Sequence, residues 1–188
     1  DVDAVIIASV DLAGSLENIS LRQNYGKVSE TASASQGEVL DQNTWLVGEG
    51  AAAIVVKPQS QVAENSVYAS IDALSFENGC DAASIALAAN NALNSSGMTQ
   101  ASLHGVEAHA SGFVEENQAE KTAFSKVYPG VSISSVKSQV GHTFNASGLA
   151  SIVKSALILD SLNCNMQKKS IAINSLGRDN CSAHVIIS

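Results

Sequence analysis

Charge is the first thing this chain is short of. Only 15% of its 188 residues are Asp, Glu, Lys or Arg, against 45% hydrophobic. So little charge suits a chain much of whose surface is covered by other protein. Positive charge is scarcer still: 10 Lys and Arg against 18 Asp and Glu give a net charge of −8. That argues against nucleic acid and against an anionic membrane as partner. Long apolar runs are missing too. Val5 to Ala8 and Ala51 to Val56 are far too short to span a bilayer. No signal peptide opens the chain, since Asp1-Val2-Asp3-Ala4 runs directly into a strand-like segment. Cysteine is sparse: Cys80, Cys164 and Cys181 are odd in number and widely spaced, with no CxxC. They read as reduced thiols of a bacterial-type cytoplasm. GxSxG, Walker and GxGxxG motifs are absent, as are heptads and solenoid repeats.

What is present is an alternation of strands and helices. A length of 188 residues fits one domain, with room for two small lobes. "DAVIIASVD" predicts a strand covered on both faces, and the polar stretch Ser15 to Gln42 a surface excursion. "WLVGEGAAAIVVKP" predicts a second buried strand, with close backbone approach at Gly48, Gly50 and Ala51. "VYASIDALSF" predicts a third. A helix follows from an Asp81 N-cap to Gly97. Then come a strand in "HGVEAHAS", a helix in "NQAEKTAFSKVY", a strand in "GVSISSVKS" and a helix from Asn145 to Leu159. "SIAINSLG" and "SAHVIIS" close as a hairpin-like pair. The fold class predicted is layered α/β with a mixed sheet.

Within that frame, His109 ends a predicted strand, and Lys137 and His142 lie on a strand-to-helix connection. Such positions often line a site in α/β folds, and a helix N-terminus there would favour a developing oxyanion. The bland alternative is a surface histidine, a solvated lysine and a backbone-satisfied histidine. Pattern alone weighs the two about evenly. Glu49 in "GEG" reads as a structural acid bonded to backbone. His104 and His184 lack companions at metal-ligand spacing, and the three cysteines read as structural.

The motifs then become recognisable. "VEAHASGF" resembles "VEAHGTGT" of β-ketoacyl synthases, and "SVKSQVGHTFNASGLASIVKSALIL" resembles "SVKSNIGHTEAAAGVAGLIKAVLAL". "WLVGEGAAAIVVK" is similar to "GFVMGEGAGVLVLK", and "NSLGRDNCSAHVII" aligns without a gap to "NSFGFGGTNAHVIL". Four motifs in order, over nearly the whole chain, resemble the C-terminal half of a ketosynthase. The implied fold is thiolase-like, stacked α-β-α-β-α. Residues 1–58 would end its first half and residues 66–188 form most of the second. The resemblance implies that His109 and His142 promote decarboxylation of malonyl-carrier protein and stabilise the enolate, with Lys137 orienting them. It implies no directly bound cofactor, the phosphopantetheine arm of an acyl carrier protein serving as substrate carrier. The family's nucleophilic cysteine lies in a "DTACSSS"-like segment upstream of the position of Asp1.

Departures from the pattern are as informative. In the closing loop, Gly177 is kept but Arg178 replaces the family's gating phenylalanine, and Asp179 and Asn180 replace two glycines, which should stiffen it. Ser111 and Phe113 stand where threonines help hold the phosphopantetheine arm, and "VEENQAE" replaces the "GDPxE" continuation. "VDLAGSLEN" followed by "KVS" resembles the chain-length-factor domain of bacterial polyunsaturated fatty acid synthases. "DSLNCNMQKKSIAIN" is shorter than the family's usual connection, which suggests a shortened protein or omitted residues. The sequence thus reads as a ketosynthase partner that helps shape the acyl tunnel in polyunsaturated fatty acid or polyketide synthesis. It would have little condensing activity of its own, and malonyl decarboxylation at its histidines stays open. The alternative is an active β-ketoacyl synthase with its cysteine upstream. A third reading is a scaffold with no acyl chemistry, which would place His109 and His142 far apart. Half of such a fold would leave apolar faces uncovered, so the chain is expected to need its N-terminal half.

Overall fold

The computed structural model describes residues 2–12, 14–24, 26–29, 39–63, 67–162 and 169–188. Seven strands and five helices are named in chain order: β1 (Val5–Asp11), α1 (Leu16–Arg22), β2 (Gly50–Val56), β3 (Ile71–Asn78), α2 (Ala82–Ser96), β4 (Leu103–Glu107), α3 (Val114–Val127), β5 (Ile133–Ser134), α4 (Lys137–Val140), α5 (Ser147–Leu162), β6 (Ser170–Gly177) and β7 (Cys181–Ile187). Strands β1 and β2 pair antiparallel, from Val5↔Val56 to Asp11↔Gly50. The other five form a mixed sheet in the order β3-β7-β6-β4-β5. Within it, β4 runs parallel to both β5 and β6, and β7 is antiparallel to β3 and β6.

Helix packing sets the layers. In α2 the buried residues are Ile85, Ala88, Ala89, Ala92 and Leu93, a stripe of helical period. Asp81 accepts hydrogen bonds from the N–H groups of Ala83 (2.8 Å) and Ser84 (3.1 Å), and Gly97 ends the helix at φ +67°. This stripe packs on α3, β3 and β7. Helix α5 packs between β6 and β2. Its buried residues Ser147, Ser151, Ser155 and Leu159 fall at every fourth position, so mostly small side chains bring it close. A Cβ at Gly148 would lie 3.4 Å from Ser175 Oγ. The order α2/α3, five-stranded sheet, α5, β1/β2 gives four of the five expected layers.

Three elements differ from expectation. Residues 15–42 contain the helix α1, capped by Ser15, whose hydroxyl accepts from Asn18 N–H at 3.4 Å. The strand expected over "GVSISSVKS" is only two residues long, because the Glu107 carboxylate takes the Val136 N–H and the chain turns into α4. Strands β1 and β2 are not covered on both faces by the described residues: Ile6 is 74% and Val55 62% exposed. These uncovered apolar side chains match the expectation of an incomplete layer. The short connection expected near residues 160–170 falls largely on residues 163–168, outside the described residues, as does Cys164.

Candidate functional site

The carboxyl ends of the three parallel strands converge. His109 follows β4 by two residues, Lys137 opens α4 just after β5, and Leu176 lies at the end of β6. The Leu176 N–H donates to His109 Nδ1 at 3.3 Å, and Lys137 Nζ lies 3.3 Å from the same nitrogen. Lys137 Nζ also donates to the His109 carbonyl. With Nδ1 accepting, a neutral His109 carries its proton on Nε2. His142 has the same tautomer for the same reason: Phe144 N–H donates to its Nδ1 at 3.1 Å, and Ser147 Oγ lies 3.2 Å away. The two rings stand edge to face with centroids 5.5 Å apart. His109, Lys137 and His142 are 6%, 5% and 4% exposed. The surface reading of His109 and the solvated reading of Lys137 therefore fail on burial, while His142 is both buried and bonded to the Phe144 backbone N–H.

Burial also decides their charge. Desolvation, reinforced by the Lys137 ammonium, holds both imidazoles well below their usual pKa. The Lys137 amine is itself lowered to about 8 by desolvation, against the pull of Glu120, Glu107 and Glu116. The arrangement is thus a pair of neutral N–H donors beside a buried ammonium, which suits an oxygen that gains negative charge.

Several residues the sequence reading passed over hold this geometry. Glu120 on α3 accepts from the N–H groups of His109 and Ala110, both at 2.7 Å, and from Asn174 Nδ2 at 2.7 Å. It is the glutamate that closes the "VEENQAE" run, so the one carboxylate shared with "GDPxE" is kept. Asn117, one turn earlier, accepts from Gly112 N–H (3.3 Å) and donates to the Gln42 carbonyl (2.7 Å). Glu107 pairs with Lys154 at 2.7 Å and accepts from Ser134 Oγ at 2.9 Å. Glu116 places Oε2 3.8 Å from His109 Nε2. Phe144, at the position of a glutamate in the family string, stacks on His142 with centroids 4.1 Å apart and planes at 9°.

The predicted binding and gate residues meet the same cluster. Phe113 is buried 6.2 Å from the His142 ring and 6.3 Å from Trp45. Arg178 Cζ lies 5.3 Å from the Phe113 centroid. Ser111 is buried with its hydroxyl accepting from Phe113 N–H at 3.1 Å, so it braces its own loop. Gly177 pairs with Cys181 at the mouth of the β6–β7 hairpin. The turn Arg178-Asp179-Asn180 closes with Asn180 at φ +61°. Asn180 fastens it to the β3–α2 loop: its carbonyl accepts from Gly79 N–H (2.7 Å) and its side chain from Cys80 N–H (3.2 Å). Two hydrogen bonds thus tie the turn in which Asp179 and Asn180 stand in place of the family's glycines. Glu49 accepts from Gly14 N–H at 2.8 Å, as a structural acid would. Among the described residues no cluster of His, Cys, Asp and Glu could hold a metal, and no helix is long and apolar enough to cross a membrane.

The expected close approach at Gly48 is a crossing with Gly141. A Cβ on Gly48 would lie 2.5 Å from the Val140 oxygen, and one on Gly141 (φ +79°) 2.5 Å from the Val47 oxygen. This crossing lets His142 N–H donate to the Leu46 carbonyl at 2.8 Å. Gly141→Ala combines a left-handed backbone with a backbone clash. It is expected to destabilise the full-length domain by on the order of 3–5 kcal/mol, read as a fall in the urea midpoint.

Comparison with known proteins places these observations. Residues 69–164 match the family "Beta-ketoacyl synthase, C-terminal domain". The chain is 34% identical over 173 residues to a polyunsaturated fatty acid synthase polypeptide of Thraustochytrium sp., covering 84% of this chain and 8% of that protein. Among solved structures it superposes on the PfaC keto synthase–chain length factor with TM-score 0.92 and 61% identity, over 100% of this chain and 20% of that one. A type II polyketide ketosynthase in complex with its acyl-carrier protein shares the fold at TM-score 0.84 and 15% identity, over 98% of this chain and 56% of that one. The fold is thus the thiolase-like layered α/β fold the motifs imply. The chain spans less than a quarter of the first two proteins' length. On the match over residues 69–164, this chain belongs to the beta-ketoacyl synthase family.

Proposed function

We propose that this chain is the C-terminal part of a chain-length-factor-type partner of a ketosynthase, shaping the acyl tunnel in polyunsaturated fatty acid or polyketide synthesis. The observation that carries this reading is the 61% identity over the whole chain to a keto synthase–chain length factor. The hairpin turn supports it: a gate that must swing needs freedom, and here Asn180 ties the turn to Gly79 and Cys80. The partner would be a ketosynthase domain, and the substrate would arrive on the phosphopantetheine arm of an acyl carrier protein. A cytoplasmic setting accords with the free thiols of Cys80 and Cys181. A division into residues 1–58 and 66–188, the end of one half and most of the second, goes with the same reading.

A second reading, malonyl decarboxylation at His109 and His142 with Lys137 as orienter, is favoured by one observation. The two imidazoles and the amine share one buried cluster. Condensation and partnership are separated by acylation mapping. The full-length protein is incubated with an acyl thioester, digested, and searched for thioester-linked peptides by mass spectrometry. The adduct is expected on the partner ketosynthase and not on the domain containing this chain. An acyl-cysteine within this domain would overturn the proposal in favour of an active condensing enzyme.

A further inference from the structure

We propose that Phe113 decides what the histidine pocket admits: its ring, covered by Arg178, closes the approach to His109 and His142 against phosphopantetheine-borne thioesters. This deepens the chain-length-factor reading and rests on it for the identity of the excluded ligand.

Three groups of side chains pack around the imidazoles. On the first side Arg178 is outermost, Phe113 lies beneath its guanidinium, and His142 lies beyond Phe113. Phe113 is seated firmly, since a Cβ on Gly26 would come within 2.3 Å of its Cδ1. On the second side Arg22 Cζ sits 3.3 Å from the Phe144 centroid, and Phe144 stacks directly on His142. Phe144 holds this position at φ +37°, a conformation costly for a bulky residue that persists only where the surroundings enforce it. On the third side the Glu116 carboxylate faces His109 Nε2. A thioester carbonyl must come within about 3 Å of both Nε2–H donors to be stabilised. Around the two imidazoles, the described residues place the Phe113 and Phe144 rings against His142 and the Glu116 carboxylate against His109.

The choice of Phe113 over Phe144 follows from chemistry and position. At position 113 the resemblance calls for a threonine that holds the arm by hydrogen bonding. A phenyl ring offers no hydrogen bond and takes far more space. The pocket becomes a packed aromatic cluster of Trp45, Phe113, Phe144 and His142.

The test reads access directly in the full-length protein. Diethylpyrocarbonate modifies accessible neutral imidazoles, and exposed His104 serves as internal standard. In the parent, His109 and His142 are expected to label at least about tenfold more slowly than His104, because reaching them needs local opening. Phe113→Ala is expected to raise their labelling about tenfold, Phe113→Leu less. Saturation-transfer NMR with pantetheine as probe should show contact with Phe113→Ala and none with the parent. If Phe113→Ala does not fold, Arg178→Ala, at an exposed position, serves in its place with a smaller expected rise. Labelling of the parent pair as fast as His104, pantetheine contact in the parent, or no change in a folded Phe113→Ala would overturn the proposal. These outcomes leave the acylation map untouched, so failure here is distinct from failure of the partner reading.

Discussion

Taking the full-length domain from pH 7 to pH 4 is expected to unfold it, with the loss beginning near pH 6.5. The cause lies in rings that the fold requires neutral. His184 is fully buried, its Nε2 2.7 Å from the Tyr128 hydroxyl and its Nδ1 3.3 Å from Asn174 Oδ1. Asn174 Oδ1 can only accept, so Nδ1 carries the proton and Nε2 accepts from Tyr128. A second proton on Nε2 would take away the acceptor of the Tyr128 O–H and put a charge where, among the described residues, no anion faces it, and desolvation lowers the His184 pKa to about 3. In the unfolded chain the ring titrates near 6.5. Between pH 6.5 and 3 the unfolded state therefore binds the extra proton, and stability falls as pH falls through that window. At pH 4 this one ring removes on the order of 3 kcal/mol. His109 and His142 are depressed in the same direction, by desolvation first and Lys137 second, and lose stability on the same side of pH 6.5. The roughly 3 kcal/mol from His184 alone is already a large share of the whole stability of a typical domain, about 5–15 kcal/mol, and His109 and His142 add to it in the same direction. Urea midpoints measured from pH 7 to pH 4 at fixed ionic strength check the slope. His184→Gln should flatten it by one proton while lowering the pH 7 midpoint. A midpoint unchanged between pH 7 and pH 5 would contradict the neutral-ring account.

The same rings mark where sequence reasoning reached and where it stopped. Lys137 and His142 were legible as a pair because a short strand–turn–helix connection keeps five residues close. His109 joined them through strand-end placement, and β4 and β5 do run parallel side by side. Helix α2 was legible because its cap, period and terminating glycine all agree. Helix α1 was not: at seven residues it is too short for Leu16, Ile19 and Leu21 to set a clear helical period, although Ser15 with Glu17 in the first turn was a usable start signal. The shortening of β5 was also out of reach, since it depends on Glu107, 29 residues upstream of Val136, capturing a backbone N–H. The stacking of Arg22 on Phe144 joins distant segments and has no local signature. Glu120 is the instructive miss. Its run departs from the family string at every position but the last, and the last is the one the fold uses.

Replacing that residue should produce the largest single-site loss of stability in the candidate site. Burial pushes the Glu120 carboxyl up, while Asn174 and the two backbone N–H groups of Ala110 and His109 pull it back toward the charged form. Glu120→Ala leaves three buried donors without an acceptor, each costing about 1–3 kcal/mol, and opens a cavity beneath the loop. The total is on the order of 4–6 kcal/mol, read as a fall in the urea midpoint at pH 7. The loop has its own reason to relax: Ala110 sits at φ +41°, and its N–H is one of those the carboxylate fixes. Lys137 loses the carboxylate that most opposes its desolvation, so its pKa should drop further below about 8. Glu120→Gln separates charge from shape. The amide keeps one acceptor oxygen, but its NH2 faces a donor where the carboxylate had a second oxygen, so the loss should be intermediate, about 2 kcal/mol. A merely space-filling role would make Gln nearly neutral and Ala costly, and would leave Lys137 unmoved. Equal, small losses in both variants, under about 1 kcal/mol, would mean that the loop bearing His109 is held by something other than this carboxylate.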